Sequence, residues 1–94
     1  GPLEKPVQTA FNWVKAGQSK AAENLLSELQ RQHPDIPELP FNLGLIYANQ
    51  LNQLNQPNHK EAAKTEFDKA VQLCKQRKCQ LPLLEAKAWL DAQP

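Results

Sequence analysis

Pro40-Phe41-Asn42-Leu43-Gly44-Leu45-Ile46-Tyr47-Ala48 decides the fold of this chain, because the same pattern of small and large residues occurs 34 residues earlier. Shifted back by 34, Pro40 falls on Pro6, Gly44 on Ala10, Leu45 on Phe11 and Tyr47 on Trp13. Small residues align with small ones, and large aromatics with large ones. The stretches that follow repeat as well. Ala22 falls on Ala63, Leu26 on Phe67 and Leu29 on Ala70, each 41 residues apart. One helical hairpin is therefore written twice, and the second copy holds seven extra residues at Ala48–Pro57. Seven residues is close to two helical turns. Leu51 and Leu54 carry the apolar stripe through the insertion, which predicts a lengthened third helix rather than a loop.

Working outward, prolines divide the chain into segments with helical periodicity. The first runs from Pro6 to Ala16 on Val7, Ala10, Phe11 and Val14, and Gly17 ends it. The second runs from Ser19, read as its N-cap, to His33 on Ala22, Leu25, Leu26 and Leu29. The third covers Glu38 to Asn55, with Pro40 in its first turn, where the missing N–H costs nothing. The fourth is expected to start after Asn58, with Asn58 capping and Glu61 completing the box, and to end near Arg77. A short fifth segment, from Pro82 to Ala92, is amphipathic through Leu83, Leu84, Ala88 and Trp89.

Composition agrees with an all-α chain. Ala, Leu, Gln, Glu and Lys dominate, and all favour helices. Ninety-four residues fit one domain. Eleven Lys and Arg against ten Asp and Glu leave a net charge of +1, without the basic excess of a dedicated nucleic-acid binder. No apolar run approaches the ~20 residues that span a bilayer. Gly1-Pro2 reads as a protease-cleavage scar, so residues 1–2 are set apart from the fold.

A helix–turn–helix period of 34 residues, with Leu43-Gly44, Tyr47, Ala63, Phe67 and Ala70 in one copy and Ala10, Trp13, Gly17, Ala22, Leu26, Leu29 and Pro34 in the other, resembles the tetratricopeptide repeat family. The resemblance spans about residues 3–77. It departs from the family at Pro40, where a large residue is usual, and at the insertion. It implies a right-handed α-α superhelix of two hairpins, residues 3–36 and 37–77. A C-terminal helix within 80–94 would cap the second hairpin, because a terminal repeat needs cover. Trp89 is then expected against the fourth helix. The alternative is a generic antiparallel array of five helices.

The resemblance also implies a concave face built by the first helix of each hairpin. That face would carry Val7, Phe11, Val14 and Lys15, then Phe41, Asn42, Leu45, Ala48 and Asn49. In the family such a groove holds a peptide or a helix of a partner protein. The face is more apolar than charged, which suits a partner that inserts hydrophobic side chains. The competing expectation is that Phe11 and Phe41 are covered by the parent chain or by self-association, which makes the domain structural. The Lys, Asn and Arg set with which some family members grip a C-terminal carboxylate is missing, Asn42 apart.

Cys74 and Cys79 leave two readings open. One is a disulfide that staples the fourth helix to the chain beyond it, in an oxidising compartment such as the bacterial periplasm. The other is two free thiols. A metal site is not expected, because His33 and His59 lie far from the cysteines in sequence. Lys75-Gln76-Arg77-Lys78 suits the negative end of a helix dipole. Glu61, Glu66 and Asp68 read as a solvated face, and His59 as exposed. No nucleophile–base set, Gly-rich phosphate loop or carboxylate pair points to catalysis or to a cofactor. The sequence thus predicts a non-catalytic interaction module, in a cell-envelope assembly such as a pilus or secretion system, or alternatively in the cytoplasm.

Overall fold

The computed structural model describes residues 3–54, 57–77 and 79. Among the described residues the chain forms four α-helices and no strand: α1 Glu4–Lys15, α2 Ser19–Gln32, α3 Glu38–Leu54 and α4 Pro57–Arg77. The fifth segment and Trp89 lie outside the described residues.

The connections explain why the helices fold back as hairpins. Gly17 adopts a left-handed φ of 82°, which a residue without Cβ reaches at no steric cost. The Gly17 N–H donates to the Val14 carbonyl at 3.1 Å and the Gln18 N–H to the Trp13 carbonyl at 2.7 Å. Those two bonds are the Schellman closure of a helix C-terminus. The turn feeds straight into α2, because the Gln18 carbonyl already accepts the Ala22 N–H at 3.2 Å. Gln18 therefore flanks the helix, Ser19 is its first residue, and no side chain caps it. The expected Ser19 cap is thus corrected: the tight turn fixes the entry. At the other end, Pro34 disfavours helix at His33, whose N–H still donates to the Leu29 carbonyl at 2.8 Å while its φ of −133° departs from the helix.

The insertion distributes over both helices of the second hairpin. α1 and α3 begin at equivalent positions, Glu4 and Glu38, but α3 runs five residues beyond the equivalent of Lys15. α4 begins three residues before the equivalent of Ser19, at Pro57. The connection shortens from three residues to two, which accounts for all seven. Pro57 suits a first helical position through its fixed φ and missing N–H. Asn58 therefore lies inside the first turn, and the expected Asn58 cap is corrected.

Each helix packs against its neighbours in sequence. One core cluster joins Ala10 of α1 and Ala22 and Leu26 of α2 to Leu39, Leu43 and Ile46 of α3. A second joins Ala63, Phe67 and Val71 of α4 to Phe41, Leu45 and Ala48 of α3, and Tyr47 packs against both clusters. α3 is thus the shared wall between the hairpins. Gly44, in the middle of α3, makes the closest approach: a Cβ there would lie 2.7 Å from Cδ1 and Cε1 of Phe67. The ring occupies the space that a side chain at 44 would need.

Candidate functional site

The residues expected on a partner-binding face separate into two groups, because α3 turns one side to α1 and α2 and the other to α4. Val7, Phe11 and Asn42 meet Ala10, Leu26 and Ile46 around a gap too small for a water molecule, where α1, α2 and α3 come together. Val7, Phe11 and Val14 are half-buried, whereas Lys15 and Asn49, at equivalent positions of the two hairpins, are exposed. Phe41 and Leu45 lean towards α4 instead. The Phe41 and Phe67 rings lie 5.9 Å apart, tilted by 55°. Such an offset pair contributes roughly 0.5–1.5 kcal/mol beyond the area it buries. Phe41 is therefore partly covered by its own chain.

Asn42 differs from expectation. It is only 7% exposed, and its Nδ2 donates to the Glu38 carbonyl at 2.6 Å. The bond ties the side chain to the first turn of its own helix. This placement corrects Asn42 from a surface group to a buried one.

A polar seam joins α2 to α3 and α4, and the sequence reading did not foresee it. The Tyr47 hydroxyl donates to Oε1 of Glu23 on α2 at 2.8 Å. Nε2 of Gln30, also on α2, donates to Oε1 of Glu66 on α4 at 3.0 Å. Lys69 completes the Glu66 carboxylate at 3.0 Å. Glu66 is therefore an interhelical acceptor, and the reading of it as part of a solvated face is corrected. Its side chain keeps 13% exposure. Burial pushes the Tyr47 phenol well above its ordinary value, and the Glu23 hydrogen bond and the charges of Glu23 and Glu66 push it further. His59, expected to be exposed, is half-buried, with its ring centroid 5.6 Å from that of Tyr47 and its Nδ1 buried without a hydrogen-bond partner among the described residues. The sequence signal for the seam is Tyr47 itself. It stands where the first copy has Trp13, and a hydroxyl carried into a core position needs an acceptor.

Cys74 and Cys79 are joined as a disulfide, with Cα atoms 4.9 Å apart. Cys74 is fully buried and Cys79 partly exposed. Among the described residues, no group of His, Cys, Asp and Glu could hold a metal ion, and no helix is long and apolar enough to cross a membrane. A shallow depression of about 490 Å³ lies between α2 and α4, lined by Gln30, Pro34, Thr65, Asp68, Lys69 and Leu73 among others. Comparison of the chain with protein-family models, curated proteins and solved structures finds no match.

Proposed function

We propose that this chain is a non-catalytic protein–protein interaction module of tetratricopeptide-repeat type, which takes a peptide or helix of a partner along the α1/α3 face. The finer architecture is part of the same proposal: a right-handed α-α superhelix of hairpins 3–36 and 37–77, covered by a C-terminal helix in 80–94. The observation that carries the reading is the small-against-large contact of Gly44 with Phe67. The repeat places Ala10 and Leu26 at the equivalent positions, and both are buried in one cluster. That internal symmetry is what stacked helical hairpins need, and it leaves the apolar Val7 and Phe11 of α1 half-buried. A place in a bacterial cell-envelope assembly belongs to the proposal, supported by the disulfide.

Phe11→Asp tests the function. The variant should keep the far-UV circular dichroism and melting temperature of the parent and lose a partner that the parent retains from native lysate. Equal recovery of that partner by both proteins would remove the α1/α3 face from the account. The second reading is a structural or oligomerisation domain, favoured by the packing of Phe41 on Phe67. It predicts instead a change in sedimentation between parent and variant.

A further inference from the structure

The second hairpin lacks the helix stop that ends the first. α2 finishes at Gln32, ahead of His33-Pro34. Shifted by 41, Gln32 falls on Leu73, yet α4 continues for one further turn to Arg77. No proline follows until Pro82. Lys75 through Leu81 hold no glycine and no β-branched residue, and most of them favour helix. The chain nevertheless is out of the helix at Cys79.

The disulfide lies at the point where α4 ends. The Cys79 N–H donates to the Cys74 carbonyl, five residues back, at 3.2 Å. In a continuing α-helix that amide would bond to Lys75. Helix radius and rise place Cα atoms five residues apart at roughly 8.7 Å. Disulfides join Cα atoms about 4.4–6.8 Å apart. The observed separation is 4.9 Å. The bridge and an uninterrupted helix at this point are therefore mutually exclusive.

We propose that Cys74–Cys79 is a redox-controlled helix stop. With the bridge closed, α4 ends at Arg77 and Cys79 lies outside the helix. With both thiols free, α4 runs on through Lys78, Cys79 and Gln80 until Pro82 disfavours helix at Leu81. The reductant is a dithiol. Its thiolate attacks Sγ of Cys79, the more exposed sulfur, and the Cys74–Cys79 bond breaks. Cys74 leaves as a thiolate and takes up a proton. The second thiol of the reductant, as thiolate, then displaces Cys79, which is released and protonated, and the reductant becomes a disulfide. Two electrons and two protons pass to the protein. Three added helical residues advance the exit point by roughly 4.5 Å and rotate it by roughly 300°. The redox state thereby sets the direction in which the chain leaves α4.

The test is amide hydrogen exchange on the whole chain, oxidised and after reduction with dithiothreitol, alongside Cys79→Ser. Reduction and the substitution should each slow exchange of amides 78–81 by roughly ten-fold and add about three residues of helix to the circular dichroism. Lys78→Pro in the reduced chain should abolish that gain. Unchanged or faster exchange at 78–81, with α4 still protected, would overturn the proposal. So would unfolding of both the reduced chain and Cys79→Ser, which makes the bridge a structural staple only. A gain that survives Lys78→Pro would overturn it as well.

Discussion

Replacing Gly44 by alanine sets two known effects against each other, and the geometry at Phe67 decides the sign. On propensity alone, alanine in the middle of α3 should stabilise by roughly 0.8–1.0 kcal/mol. The new Cβ, however, would lie 2.7 Å from two ring carbons of Phe67. Unstrained carbon–carbon contacts sit at about 3.5–4.0 Å. The ring has to retreat by about 1 Å, yet it is fully buried and packed against Phe41. Overpacking of this kind costs about 1–3 kcal/mol, and a ring with no room to move belongs at the upper end. The expected net loss is about 1–2 kcal/mol. For a domain of this size that lowers the melting temperature by roughly 4–16 °C. Thermal unfolding followed at 222 nm reads the shift directly. Phe67→Leu should recover part of the loss in the Gly44→Ala background, because it removes the ring that the methyl group strikes. A Gly44→Ala protein that melts at or above the parent would refute the close approach of α3 and α4, and with it the register of the repeat.

Tyr47 should give the protein an alkaline limit. The folded state holds the phenolic proton more tightly than the unfolded chain does, since burial and the Glu23 and Glu66 carboxylates oppose ionisation. Above about pH 10 the unfolded state therefore binds fewer protons, and stability falls as pH rises. Denaturant titrations between pH 8 and 11 should show a decline that Tyr47→Phe flattens; equal slopes would rule out the phenol as its source. Gly17→Ala should cost about 1 kcal/mol through the left-handed φ alone, since a Cβ there meets no atom within 4 Å. A neutral result would place Gly17 outside the left-handed region. Leu26→Ala should destabilise by about 2–5 kcal/mol and Leu29→Ala by less, because Leu26 is fully buried and Leu29 only partly. Equal losses would contradict the packing of α2.

The four described helices and their order were readable from the chain alone, because apolar period and the breaks at Gly17 and Pro34 are local properties. So was the use of a small residue at Gly44, since the repeat sets it opposite a large one. The face proposed for partner binding was legible only in part. The sequence placed Val7, Phe11, Phe41 and Asn42 on one surface, whereas the structure buries Asn42, half-buries Val7 and Phe11, and turns Phe41 towards Phe67. A helical pattern gives the angle of a side chain about its own axis, and not which neighbouring helix occupies that angle.

The same limit applies to the caps and the polar seam. Ser19 and Asn58 match cap composition, but a Schellman turn and Pro57 set those helix starts. Glu23, Tyr47, Gln30 and Glu66 look like surface and core residues in isolation, and become partners only because α2 lies across α3 and α4. What the sequence determined by itself is therefore the all-α class and the four described helices in their order, through periodicity and glycine and proline stereochemistry. What the tertiary structure decided is which polar groups meet, how deeply Asn42 and His59 are buried, and whether Cys74 and Cys79 are bridged. The polar contacts join residues 24 and 36 positions apart, which no local pattern encodes, and the bridge needs a turn that brings Cys79 back to within 4.9 Å of Cys74, which the spacing permits without requiring.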